Sequence, residues 1–129
     1  DDNPVILPSF FSLGFPHANN SNTPGELALD MGQVFYANSG GPDLFVYETT
    51  GGATYPVEST EVYAKLNLGD SWVLLGTVNR DNGVELSAGG LTSARYVRLV
   101  EASNIVPFEA TADGYDVDAV KALCTQPIQ

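Results

Sequence analysis

Asp116 and Asp118 stand two apart in the stretch Gly114-Tyr115-Asp116-Val117-Asp118-Ala119-Val120. Side chains at i and i+2 of a strand share a face, so the two carboxylates are expected side by side with Val117 opposite. Aspartate is depleted from strand interiors, and a same-face pair there calls for a compensating charge. Two carboxylates about 4 Å apart repel by roughly 4 kcal/mol at an effective dielectric of about 20, and a bound dication reverses the sign. Calcium takes roughly six to eight oxygen ligands from carboxylates, carbonyls and water, so a few acids converging from separate strands suffice. Asp43 enters a strand after the turn Gly40-Gly41-Pro42, whose carbonyls could also ligate; Asp113 and Glu48 complete the candidate metal set. Glu48 shares a face with Leu44 and Val46, which makes an arginine its alternative partner. No Asp-x-Asp-x-Asp-Gly loop is present. Two readings follow: a calcium site, or an acidic face that is solvated or paired with arginine.

Arg95 and Arg98 lie three apart, so on a regular strand they point to opposite faces, and one needs a carboxylate such as Glu48, Glu61 or Glu101 on the buried side. A structural ion pair is one role. The other is a guanidinium that hydrogen-bonds a sugar or carboxylate, for which Arg98 is the candidate. Tyrosine joins an apolar ring to a polar tip, and Tyr47, Tyr55 and Tyr63, with Tyr36 beside them, are candidate ligand platforms as well as packing residues. Tyr55 falls in a turn-rich loop, where binding residues concentrate. Trp72 is assigned to the core because the run that follows it is the most hydrophobic of the chain. Catalysis is not expected. His17 is the single histidine, no Ser-His-Asp or Cys-His set can be assembled, and zinc ligation by several histidines is excluded by count. Glycoside hydrolysis needs two acids flanking a bond, whereas Asp116 and Asp118 would lie side by side.

The elements that position these residues read as short strands between turns. Asp43 to Glu48 is β-branched and aromatic and ends before Gly51-Gly52. Val62, Ala64 and Leu66 alternate with Glu61, Tyr63 and Lys65, giving a half-buried strand. Asn67-Leu68-Gly69-Asp70 reads as a hairpin turn into Trp72 to Val78, whose lack of alternation suggests burial on both faces. Asn82-Gly83 is a turn dipeptide. Arg95 to Val100 and Tyr115 to Val120 are further strands, with weaker candidates at Glu26 to Met31 and Val34 to Tyr36. No segment offers a convincing amphipathic helix. This spacing argues for an all-β antiparallel sandwich, with a closed barrel as the alternative. Residues 1–23 read as an extended arm with room for one edge strand, and 24–129 as a single sandwich domain.

Composition narrows the partners. The 129 residues carry a formal net charge of -11, yet only 16% are charged and 43% are hydrophobic, so a folded domain is expected rather than an acidic tail. The field repels phosphate backbones, and Lys65, Arg80, Arg95, Arg98 and Lys121 form no basic stripe, so nucleic acid and anionic membrane surfaces are not expected partners. No apolar run approaches the roughly 20 residues of a spanning helix, and Asp1-Asp2-Asn3-Pro4 is unlike a signal peptide start. Cys124 is the single cysteine; it serves as a small hydrophobe or pairs with a cysteine outside this sequence.

In order along the chain stand Gly41-Pro42-Asp43-Leu44-Phe45-Val46-Tyr47-Glu48, Pro56-Val57-Glu58, Glu61-Val62-Tyr63-Ala64, Trp72-Val73-Leu74-Leu75-Gly76, Ala94-Arg95-Tyr96-Val97-Arg98-Leu99 and Gly114 to Val120. From about Pro24 to Leu123 this series resembles the galactose-binding-like (discoidin-like) jelly-roll modules of secreted and cell-surface bacterial proteins. The resemblance implies a jelly roll of about eight strands with calcium near one edge, within a multidomain extracellular protein. Because the superfold hosts several binding functions, it implies function only loosely. The expectation is a non-catalytic, calcium-stabilised module, secreted or at the cell surface, that recognises a glycan or a surface protein. The alternatives are a calcium-dependent protein or peptide-binding domain of a large bacterial adhesin, or a structural spacer. Residues 1–23 match no part of that pattern.

Overall fold

The computed structural model describes residues 11–13, 24–48, 57–103 and 114–125. Their eight strands are β1 (Phe11–Ser12), β2 (Glu26–Tyr36), β3 (Leu44–Glu48), β4 (Ser59–Lys65), β5 (Val73–Asn79), β6 (Asn82–Val84), β7 (Ser93–Glu101) and β8 (Asp116–Ala122), with one 3-10 turn at Leu86–Gly89. They form two four-stranded sheets, ordered β1-β8-β3-β6 and β2-β7-β4-β5. Every pairing is antiparallel. Chain neighbours such as β2 and β3 lie in different sheets, which is the jelly-roll way of closing a sandwich. The expected all-β antiparallel sandwich is what the chain forms.

The core lies between the sheets. Leu44 and Val46 of β3 face Phe35, Val62, Ala64, Val97 and Leu99 of the second sheet, with Leu86 and Tyr115 closing the ends; all are fully buried. Strand β4 buries Thr60, Val62 and Ala64 in strict alternation, so its period alone fixes which face is wet. The tight turn Asn67 to Asp70 joins β4 to β5, held by Asp70 N–H on Asn67 O at 3.0 Å and by Asp70 Oδ2, which accepts from Asn67 N–H.

Three expectations are corrected here, two of them by bulges. Strand β5 is an edge strand, not one buried on both faces, and Leu74 is exposed. Its register against β4 slips by one residue, with Val62 opposite Gly76 and Tyr63 opposite Leu74, and the extra residue Leu75 turns inward. The weak candidates at Glu26 to Met31 and Val34 to Tyr36 are one strand, β2, interrupted by a register shift that includes Gly32 at φ +81°. Asn82-Gly83 is not the turn. It lies in β6, and the chain crosses between sheets one step earlier, at Arg80 with φ +52°. Gly83 is needed for contact instead: a Cβ there would sit 2.5 Å from Pro42 Cβ.

Candidate functional site

Two groups of polar side chains stand out. The first is an acidic end. Glu48 closes β3, Glu58 precedes β4, Glu101 closes β7 and Asp116 opens β8. Glu58 and Glu101 are only 4% and 5% exposed. Glu101 is well satisfied: Oε1 accepts from Ser103 N–H at 2.9 Å and Oε2 from Tyr115 N–H at 2.6 Å. Burial raises its pKa, and these bonds partly offset the rise. Tyr115 is fully buried and its hydroxyl donates to Arg80 O at 2.8 Å. Burial, followed by the charges of Glu48 and Asp81, pushes that hydroxyl well above the usual tyrosine range.

Glu48 and Glu58 meet carboxyl to carboxyl. Among the described residues, no backbone N–H, hydroxyl or cationic group donates to the buried Glu48 Oε2. Burial, then the Glu48 carboxyl, then the charge of Asp116 push Glu58 up to about 9. Burial also raises Glu48, while its bond to Glu58 works in the opposite direction. The two carboxyls therefore share a proton and titrate as a pair above the ordinary carboxylate range.

The expected metal set is only partly assembled. Asp43 is 1% exposed and does structural work: Oδ1 accepts from Asn38 N–H and Oδ2 from Leu86 N–H, both at 2.8 Å. It sits at the end of β3 where Leu44 faces Ala122, whereas Glu48 faces Val117. Asp43 is thus about 17 Å of strand away from Glu48. Asp116 does approach the acidic end, its charge acting on Glu48 and Glu58. Asp118 does not stay beside it, because the register against β3 slips between Tyr47 opposite Ala119 and Glu48 opposite Val117, leaving Asp118 as the extra, exposed residue. Asp113 lies outside the described residues. Among the described residues, no three acidic, histidine or cysteine side chains are grouped so as to hold a metal ion.

The second group lies on the outer face of the sheet β2-β7-β4-β5. Register places Asp30, Tyr96 and Lys65 in one row, and Ala28, Arg98, Tyr63 and Leu74 in the next. Trp72, just before β5, is carried by the hairpin to Lys65, whose Nζ lies 4.4 Å from the ring centroid. Trp72 is half-buried on this face rather than in the core. Asp30, Lys65, Trp72 and Tyr96, with Ala28, Leu29 and Leu68, line an open cavity of about 300 Å³. Arg95 pairs with Asp30 through Nε at 2.9 Å and Nη2 at 3.1 Å, and Arg98 with Glu26 Oε2 at 2.6 Å. The guanidinium beside Asp30 holds that carboxyl below its ordinary range. Both arginines end on the wet side, at 40% and 29% side-chain exposure, so neither needs the buried partner that regular alternation implied. The irregular register of β2 against β7 is the reason: Phe35 pairs with Ala94, and Asp30 with Tyr96.

The candidate ligand residues divide between the two sheets. Tyr63 lies under Arg98, 5.3 Å from its Cζ to the ring, and its hydroxyl donates to Glu61 Oε1 at 3.1 Å. Tyr47 lies in β3 with the Phe45 ring 4.9 Å away, in the other sheet. Tyr55 lies outside the described residues. Lys65, Trp72, Tyr96 and Asp30 were not anticipated as a set. A signal existed: Lys65 and Trp72 flank a recognisable hairpin turn, so pairing across it brings them together.

Fold and site together define a two-sheet antiparallel β-sandwich with an aromatic, ion-paired face. No known family model matches the sequence, and no curated protein matches it. Among solved structures the chain is similar to the C-terminal domain of a chitobiase from Bacteroides fragilis, with a TM-score of 0.54 and 16% identity over 79% of this chain and 64% of that one. The chain thus spans just under two thirds of that structure, and at this identity the likeness is one of fold. No helix among the described residues is long and apolar enough to cross a membrane.

Proposed function

We propose that this chain is a non-catalytic carbohydrate-binding module of a multidomain extracellular protein, and that it holds its glycan on the outer face of the sheet β2-β7-β4-β5. The observation that carries the reading is the cavity where Trp72, Tyr96, Lys65 and Asp30 meet. A pyranose has an apolar C–H face that packs on aromatic rings and a rim of hydroxyls that bonds to charged groups, and this lining offers both. Charge agrees. Three of the five cations of a chain of net charge -11 are on this face, where Asp30 and Glu26 pair with two of them, leaving it close to neutral, as an uncharged ligand needs. Similarity in fold to a chitobiase domain gives the reading a precedent in a protein that acts on sugar. The test is binding to a panel of soluble oligosaccharides by calorimetry, with Trp72→Ala as the site variant. At least a tenfold loss is expected, which is about 1.4 kcal/mol. A module that binds no glycan, or binds one equally well without Trp72, does not use this face.

A calcium ion at the acidic end is a second reading, favoured by the buried, donorless Glu48 Oε2. Glu48 and Asp116 remain its candidate ligands, with backbone carbonyls and water for the other positions, since Asp43 is distant and both Glu101 oxygens already accept from N–H groups. A dication there would take over from the proton shared by Glu48 and Glu58, and its role would be stability. Melting with calcium and with chelator separates the two states of the pair.

A further inference from the structure

We propose that Lys65 is the positioning residue of the outer-face cavity, holding Trp72 ready for the ligand without touching the ligand itself; the consequence for binding rests on the glycan reading above. The hydrogen-bonded ladder between β4 and β5 has Ala64 opposite Val73 as its last pair. Lys65 and Trp72 stand one step beyond that pair, and β5 is the outermost strand of its sheet. Backbone pairing therefore does not fix Trp72, and a side chain must. The Lys65 ammonium carries three N–H donors and no acceptor. It donates to Leu68 O at 2.8 Å and Asp70 O at 3.3 Å, and it lies 4.4 Å from the Trp72 ring centroid. Two carbonyls and the ring thus take up the ammonium.

The turn is closed on itself by other bonds. Asp70 N–H donates to Asn67 O at 3.0 Å, and Asp70 Oδ2 accepts from Asn67 N–H at 3.0 Å and Nδ2 at 3.2 Å. Those bonds shape residues 67–70 but reach neither β4 nor Trp72. Lys65 supplies that link, because its stem runs from the end of β4 to the turn carbonyls and the indole. Its register partner in β7 is Tyr96, so the same residue stands between the two aromatic side chains of the cavity. Arg95 and Arg98 pair with Asp30 and Glu26, whereas among the described residues no carboxylate forms an ion pair with Lys65. Its charge is committed to the turn and the ring. A ligand that must order a loose side chain for itself loses roughly threefold to tenfold in affinity. With Lys65 in place, Trp72 is ordered before the ligand arrives.

The experiment compares the wild type with Lys65→Met and Lys65→Arg. Methionine keeps the apolar stem and removes the charge and the donors; arginine keeps both. Lys65 closes its strand and is half-buried, so the fold tolerates either change. Trp72 is the single tryptophan, and time-resolved fluorescence anisotropy of the unliganded protein reads its motion alone. Calorimetry with cellohexaose, xylohexaose and chitohexaose reads binding. Lys65→Met should at least double the amplitude of the fast local motion of Trp72 and weaken binding by roughly threefold to tenfold. Lys65→Arg should stay within about twofold of the wild type in both readouts. Unchanged Trp72 motion in Lys65→Met overturns the inference, and if affinity falls all the same, Lys65 is a ligand contact. Loosened Trp72 with undiminished affinity overturns it as well, since binding then does not depend on the ring being held. A wild type that binds none of the oligosaccharides overturns the glycan reading, while a Trp72 loosened by Lys65→Met and held by Lys65→Arg still supports the anchoring role.

Discussion

Replacing Glu58 by Gln should flatten the pH dependence of stability between about pH 5 and pH 7. In the folded protein Glu58 holds its proton up to about 9, whereas its ordinary value is 4.5. The unfolded chain therefore ionises this group first as pH rises. Its contribution to stability is fully present below pH 4.5, falls through the interval and is exhausted above about 9. The slope cannot exceed about 1.36 kcal/mol per pH unit, so two units lose at most about 2.7 kcal/mol. Glu48 is only half-buried and shares the proton, and solvent reaching the pair lowers the figure to about 1–2 kcal/mol. Urea unfolding followed by Trp72 fluorescence, in chelator so that no metal replaces the proton, reads this directly. With an m-value of about 1–3 kcal/mol/M, the wild-type midpoint should fall by about 0.3–2 M from pH 5 to pH 7. The Glu58→Gln midpoint should move by less than half as much. Parallel curves for the two proteins would refute the shared-proton account and return Glu58 to the status of an ordinary carboxylate.

Asp43→Ala should cost about 2–4 kcal/mol in the same unfolding assay, because two backbone N–H groups lose their acceptor in a buried setting, and a cost under about 0.5 kcal/mol would contradict its placement. Gly83→Ala should destabilise by about 1–3 kcal/mol, since the new methyl meets the Pro42 ring; calorimetric melting showing an unchanged transition would mean that this contact is loose. If the acidic end takes calcium with the weak affinity of extracellular sites, about 10 mM metal should stabilise the fold by roughly 1.4–2.7 kcal/mol, and Glu48→Gln should abolish the gain; identical melting in calcium and chelator eliminates the ion. Arg98→Ala should change stability by less than about 1 kcal/mol, as its pair with Glu26 is open to water, and a larger loss in denaturant unfolding would point to a packing role over Tyr63.

Much of the sandwich is legible in the sequence because alternation and turn chemistry are local. Val62 and Ala64 announce the buried face of β4, and Asn67 to Asp70 its hairpin. The bulges are not legible, because an extra residue is defined only by the strand it is paired with. That single effect explains why Asp118 leaves the side of Asp116, why Leu75 turns inward beside an exposed Leu74, and why Arg95 and Arg98 both reach solvent. Glu48 and Asp116 mark the acidic end in the sequence. Glu58 and Glu101 do not, because they lie 43 residues apart and meet only through the sheet, and Asp43 reads as a ligand because a carboxylate that binds backbone N–H groups looks the same in sequence as one awaiting a cation.

Strand β4 runs from beside Glu58 at the acidic end to Lys65 at the proposed ligand face, a span of about 20 Å. Changes that far apart with no shared partners combine almost additively. Durability and recognition in this module are therefore separable engineering targets. A library at Glu48, Glu58 and Glu101 can be screened for resistance to alkali while the cavity keeps its lining, and residues around Trp72 can be diversified on a scaffold already hardened elsewhere.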